Sequence, residues 1–230
     1  MPILWAGVSR SRLVGLAQED MWGEKMRAYL LNSGRTKKEY WSTSWTKPKC
    51  LLPINDATIL DYQIDRFSKL KIEITLVLGY DAKFIEEYCE HFPYSLRYVY
   101  DKSWRGSYSI PRTLLDIEGV LRQEDDYTIF VHGDLLFNSD LVEAIVKAKG
   151  DICKIQGRNM IFKFSPEALH YVLDTLKTNP KIDTLNMPLW YKIMEKYPIT
   201  EINPSLWHQD IDRPEVHNKY KKTRMLEPIG

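Results

Sequence analysis

The sequence is short of several things, and each shortage excludes something. It has 3 cysteines, Cys50, Cys89 and Cys153, widely spaced and odd in number. They make neither a CxxC metal clip nor a disulfide framework, which reads as a reducing compartment. There is no excess of charge: 32 Lys+Arg face 31 Asp+Glu, for a formal net charge of +1. A protein that lives on nucleic-acid phosphates carries a basic excess or a basic stripe, so no nucleic acid partner is expected. No apolar run approaches the roughly 18–20 residues that span a bilayer, so no membrane span is expected either. The first residues meet Arg10 and Arg12 before the apolar region of a signal peptide can build up. The expected location is cytoplasmic.

What is present fits a folded domain. The chain has 230 residues, 44% apolar and 12% aromatic, too apolar for a disordered chain and long enough for one sizeable α/β core. Residues 1–25 carry Gly7, Gly15 and Gly23 between short apolar patches and read as an N-terminal extension. The domain is expected over 26–225. Within it, short β-branched or apolar runs (Ala28–Leu31, Ile72–Leu78, Leu96–Tyr100, Tyr127–His132) read as strands. Segments of helical spacing (Ile59–Leu70, Ala82–Tyr88, Ile110–Leu121, Leu141–Lys149) alternate with them. That alternation predicts a mostly parallel sheet with helices on both faces. Past Gly150 come two strands, Ile152–Ile155 and Met160–Phe164, and then a helix with Ser165 as N-cap and Pro166 at its first position. A further helix over Leu189–Lys196, a strand over Ile199–Ile202, a loop over Trp207–Pro214 and a polar helix follow.

Ligands of an open parallel sheet bind beyond the carboxyl ends of its strands. That rule selects Asn32–Lys38, Gly79-Tyr80, Gly133-Asp134 and the Trp207–Pro214 loop. The sharpest local signal is Lys47-Pro48-Lys49-Cys50-Leu51-Leu52-Pro53-Ile54, where two lysines flank a proline just before a buried apolar segment. A lysine held there can neutralise charge on a transferring group; taken alone, the same residues also suit a surface turn. His132 reads as a packed strand-end histidine, and Trp41 and Trp45 as packing residues.

This stretch, running on through Ile59-Leu60-Asp61-Tyr62-Gln63-Ile64-Asp65-Arg66-Phe67 and an apolar strand ending in Gly79-Tyr80, resembles the sugar-phosphate nucleotidyltransferases. The resemblance continues at Val131-His132-Gly133-Asp134-Leu135-Leu136-Phe137 and ends at Asp210-Ile211-Asp212-Arg213-Pro214-Glu215. The motifs stand in the family's order and cover residues 26 to about 220. The resemblance implies a single Rossmann-like α/β nucleotidyltransferase domain. Its reaction joins an NTP, with CTP or UTP favoured, to a sugar-1-phosphate or small phospho-alcohol and releases pyrophosphate, as in nucleotide-sugar biosynthesis. It implies Mg²⁺ on Asp134 and on Asp212, with Asp210 beside it, because hard carboxylate oxygens can hold that ion against phosphates. Lys49 matches the family's phosphate-contacting lysine.

The phosphate loop departs from the family pattern of Gly-x-Gly-Ser/Thr-Arg. Here Asn32, Ser33 and Gly34 lead it, Thr36 stands in place of the second glycine, and Lys38 replaces the arginine. Lysine supplies charge without a bidentate fork. Asn32, Ser33 and Gly34 are expected to hold nucleotide phosphates; Gly106, Ser107 and Ser109 are expected to read the base, although that stretch also fits a loop into a helix N-cap. Two further readings stay open. Asp210-Ile211-Asp212 is literally the Asp-x-Asp of GT-A-type glycosyltransferases, although it lies past most of the sheet. A non-catalytic nucleotide-binding relative with a degenerate phosphate loop is the other.

Overall fold

The computed structural model describes residues 25–34, 47–105, 109–156, 161–179, 192–203, 205–206, 208–211 and 213–229. Residues 1–24 of the expected 1–25 extension, the candidate residues Lys38, Gly106, Ser107 and Asp212, Trp41 and Trp45, and the first three residues of the helix expected over 189–196 lie outside them. In chain order the elements are β1 (Met26–Asn32), a 3-10 turn (Lys49–Leu51), β2 (Pro53–Ile54), β3 (Ala57–Thr58), α1 (Ile59–Lys69), β4 (Glu73–Leu78), α2 (Ala82–Cys89) and β5 (Leu96–Tyr100). A second 3-10 turn (Ser103–Arg105), α3 (Ile110–Asp116), α4 (Glu118–Leu121), β6 (Tyr127–His132), β7 (Leu135–Phe137) and α5 (Ser139–Lys147) follow. The chain continues through β8 (Ile152–Ile155), β9 (Ile161–Phe164), α6 (Pro166–Lys177), β10 (Ile199–Ile202), β11 (His208–Asp210) and α7 (Pro214–Tyr220).

The main sheet has seven strands in the order β10-β8-β9-β6-β1-β4-β5. β1 pairs in parallel with β4 and β6, β4 with β5, and β8 with β10; β9 alone runs against its neighbours β6 and β8. The mostly parallel mixed sheet expected from the sequence is therefore the one observed. β1 shows why it is central. Its Met26, Ala28 and Leu30 enter one buried cluster and its Tyr29 and Leu31 the other, so both faces are covered. On the first face pack α1, α2 and α5 through residues such as Leu60, Ile64, Ile85, Leu141 and Ile145. On the second pack α3, α4 and α6 through Leu114, Leu121, Leu169 and Leu173.

Local signals fix the helix ends. Thr58 and Asp61 form a reciprocal capping box on α1: Asp61 N–H donates to Thr58 Oγ1 at 3.2 Å and Thr58 N–H to Asp61 Oδ2 at 2.6 Å. Ser165 caps α6 as expected, accepting from Ala168 N–H at 3.3 Å, with Pro166 in the first position. The helix expected over 110–121 is instead two, α3 and α4, parted at the buried Ile117. The expected loop over 207–214 contains β11, which pairs antiparallel with β7.

A third, smaller core joins distant parts of the chain: Leu52, Ile54, Ile59, Tyr62, Leu136, Ile211 and Leu226. The 221–229 segment closes it with polar ties. Asn55 and Thr223 exchange reciprocal hydrogen bonds of 3.1 and 3.0 Å, and Asn138 Nδ2 donates to Met225 O at 2.9 Å. The Glu227 carboxylate accepts from Ser139 N–H and Oγ–H at 3.1 and 2.6 Å, at the start of α5.

The Ser139 hydrogen bond, opposed by burial and helped by Arg66 and Lys69, holds Glu227 below the usual carboxylate range. A carboxylate lowered on folding stabilises above its unfolded value of about 4.3, and that contribution is lost as pH falls through the lower folded value. The melting temperature of Glu227→Gln should accordingly fall less steeply than that of the wild type between about pH 5 and 3. Parallel curves would show that this tie carries no pH-dependent stability.

Candidate active site

In this sheet the chain steps from β1 outward to β4 and β5 on one side, then returns to β6 on the other side of β1. The crevice beyond the carboxyl ends of β1 and β6 is thus the topological switch point, where ligands of open α/β sheets bind. The Gly133-Asp134 turn that joins β6 to β7 lies there. It is built by close approach. Gly133 N–H donates to Leu31 O at 3.1 Å, and a Cβ on Gly133 would stand 2.0 Å from Asn32 Oδ1 and 2.7 Å from Leu31 O. Only glycine lets β1 and the turn meet so tightly. From behind, the fully buried Gln63 of α1 donates to His132 O at 2.8 Å and to Leu135 O at 2.9 Å. Both flanks of Asp134 are held by one side chain.

Lys49 enters from the 3-10 turn that closes with Leu51 N–H on Pro48 O and Leu52 N–H on Lys49 O, each 3.0 Å. Cys50 and Leu51 are buried beneath it. The lysine therefore leaves a fixed backbone and reaches Asp134, with Nζ 2.5 Å from Oδ2. Burial alone pushes the Asp134 carboxyl up; the ammonium of Lys49 first, then His132, outweigh it and hold the carboxyl below the usual carboxylate range. His132 Nδ1 lies 4.0 Å from Asp134 Oδ1. Burial, opposed by Asp134 and reinforced by Lys49, keeps His132 below the ordinary imidazole value.

The acidic loop closes the third side. β11 pairs with β7 so that Asp210 lies opposite Leu135, and Ile211 N–H donates to Asp134 O at 2.9 Å. The backbones at Asp134 and Asp210 are thus brought together from distant parts of the chain. Mg²⁺ takes hard oxygens, and in nucleotide sites one or two carboxylates are completed by substrate phosphates. Asp134 offers a carboxylate of the kind such an ion takes. A cation, the Lys49 ammonium, already sits on Asp134 Oδ2, and about a fifth of the Asp134 side chain stays exposed. Among the described residues no group of three or more His, Cys, Asp and Glu that could hold a metal ion is found.

The remaining candidates are placed as follows. Asn32 and Ser33 are buried, Asn32 against Gly133 and Ser33 against Gly79, with Tyr80 N–H on Ser33 O at 3.1 Å. Their side chains are wedged between strand ends, and Gly34 beyond them is half-exposed. Ser109 stands at the N-cap position of α3 without a side-chain capping bond. Near it Trp104 packs edge-on to Tyr80 at 5.6 Å, with the Arg105 guanidinium over the Trp104 ring at 5.3 Å. Gln63 was not singled out by the sequence reading. The signal was there, since Gln63 sits four residues from both Ile59 and Phe67 on the apolar stripe of α1, and a polar residue on such a stripe must find partners.

No protein-family model matches the chain, and no curated protein matches it. Solved structures do. A nucleotidyl transferase from Methanothermobacter superposes with a TM-score of 0.68 at 17% identity, covering 86% of this chain and 96% of that one. The inositol-1-phosphate CTP transferase from T. maritima gives 0.64 at 13% identity, with 90% and 100% covered. The CTP:phosphocholine cytidylyltransferase from Streptococcus pneumoniae gives 0.59 at 14% identity, with 86% and 98% covered. The class defined is an α/β domain with the nucleotidyltransferase fold. The likeness is one of fold, and it agrees with the sugar-phosphate nucleotidyltransferase resemblance of the motifs. No described helix is long and apolar enough to cross a membrane.

Proposed function

We propose that this protein is a nucleotidyltransferase that joins an NTP to a sugar-1-phosphate or small phospho-alcohol and releases pyrophosphate. One observation carries the reading: Lys49, Asp134 and the β11 strand end, from three distant stretches of chain, converge at the switch point of the sheet. An acceptor phosphate oxygen attacks the α-phosphorus of the NTP. The new bond forms as the bridge from that phosphorus to the β-phosphate oxygen breaks, and the leaving pyrophosphate takes the electron pair. Chemistry of this kind asks for positioning and charge stabilisation, not a covalent nucleophile. Asp134, with Asp210 and Asp212 from the acidic loop, would hold Mg²⁺, which when bound neutralises phosphate charge and aligns the reacting oxygens. Lys49 meets the charge that builds on the transferring phosphoryl group. Gln63 and Gly133 keep the Asp134 turn in place, and Lys38 and the Asn32–Gly34 stretch bear on the triphosphate. CTP or UTP is the nucleotide proposed, a reading that two fold neighbours named as CTP enzymes support, and Gly106, Ser107 and Ser109 would read the base.

The test is a matrix of the four common NTPs against sugar-1-phosphates, phosphocholine and inositol phosphate, read by pyrophosphate release in Mg²⁺. Turnover with at least one pair is expected. Binding of NTP without pyrophosphate release from any pair would favour the non-catalytic relative, and transfer of a sugar from a nucleotide-sugar donor would favour the glycosyltransferase reading.

A further inference from the structure

The Lys49–Asp134 contact has a direction that the proposed reaction does not use. Lys49 Nζ stands on Asp134 Oδ2, an oxygen that a divalent ion would need, and the two side chains are only 12% and 21% exposed. We propose that Lys49 is a built-in counter-cation for Asp134, so that divalent metal gains this carboxylate only as triphosphate takes the ammonium away. The inference rests on the nucleotidyltransferase reading of the site for the identity of the phosphate ligand.

An ammonium and a divalent cation repel each other and compete for the same carboxylate oxygen, so binding of one raises the cost of the other. A largely enclosed carboxylate without a cation is costly, which favours a resident one in the metal-free protein. The backbone of Lys49 is fixed by the Pro48–Leu52 turn and the burial of Cys50 and Leu51, so exchange is a swing of the flexible four-carbon stem alone. Lysine suits such a swing, being a compact charge with freely rotating donors. Metal and triphosphate then bind with positive coupling, each tightening the other by the same factor.

The experiment reads binding, not turnover. Mn²⁺ is titrated by EPR against the nucleotide-free protein as wild type, Lys49→Gln, Lys49→Arg and the double variant Lys49→Gln/Asp134→Asn. Lys49→Gln should bind Mn²⁺ about tenfold more tightly than wild type, within the roughly 5- to 150-fold span of coupled sites. Lys49→Arg, which keeps the cation, should stay near wild type, and the double variant should lose the gain. The mirror arm uses inorganic triphosphate in EDTA: Asp134→Asn, which frees the ammonium, should bind it more tightly than wild type, and the double variant should not. Equal Mn²⁺ affinity of Lys49→Gln and wild type overturns the proposal. If Lys49→Gln does not fold, unchanged triphosphate affinity in Asp134→Asn overturns it alone. These gains without pyrophosphate release from any substrate pair would count against nucleotidyl transfer and leave the counter-cation standing.

Discussion

Asp134→Asn is expected to lower pyrophosphate release by about 10²–10³-fold, the cost of removing one preorganised electrostatic contact from a partly dry site. The substitution keeps the shape of the side chain and deletes its charge, so the Gly133 turn and the Gln63 bonds to His132 O and Leu135 O remain. It leaves the Lys49 ammonium without its counter-charge, although the amide oxygen can still accept its hydrogen bond, and stability should fall only by about 1–3 kcal/mol, the worth of a hydrogen bond between charged groups. Turnover and melting temperature measured on the same preparation separate the two effects. Wild-type turnover in Asp134→Asn would remove this carboxylate from the chemistry.

Gly133→Ala is expected to have the largest effect on stability. The added Cβ would stand 2.0 Å from Asn32 Oδ1 and 2.7 Å from Leu31 O. Asn32 is 5% exposed, so its amide has no open space to turn into, and Leu31 O belongs to the central strand. Overpacking of this kind costs about 3 kcal/mol. At about 2–4 °C per kcal/mol for a chain of this size, the melting temperature should fall by about 6–12 °C. Adding Asn32→Ala removes the nearer obstacle but not the backbone oxygen, and should recover part of the loss. A melting temperature equal to wild type in Gly133→Ala would mean that β1 and the Asp134 turn are not in this close contact.

Much of this architecture was legible in the sequence because its cause is local. The runs at 72–78 and 127–132 could only be buried strands, and Ser165-Pro166 could only begin a helix. The short strands β7 and β11 were not legible, since three-residue strands owe their existence to each other across more than seventy residues of chain. The break at Ile117 was hidden for a related reason. The apolar spacing of 110–121 suits one helix, but Asp116 turns back to the Lys102 amide and Ile117 is drawn into the second core. Lys49 and Asp134 were each recognisable in their motifs. That one ends on the other was not, because a contact 85 residues apart in the chain leaves no periodic trace.

The third core has a consequence for the order in which the protein is made. Leu52 lies three positions past Lys49, Leu136 two past Asp134, and Ile211 next to Asp210, and all share this core with Leu226. A nascent chain that has emerged only as far as residue 200 already holds β1, β4, β5, β6, β8 and β9 of the sheet. It can bury most of the two large cores. It lacks β11, α7, Ile211 and Leu226, so the floor that Leu52, Ile54, Ile59, Tyr62 and Leu136 give its lysine turn and its aspartate turn is still incomplete. Synthesis from the N-terminus therefore supplies most of the sheet before the residues that complete the pocket floor.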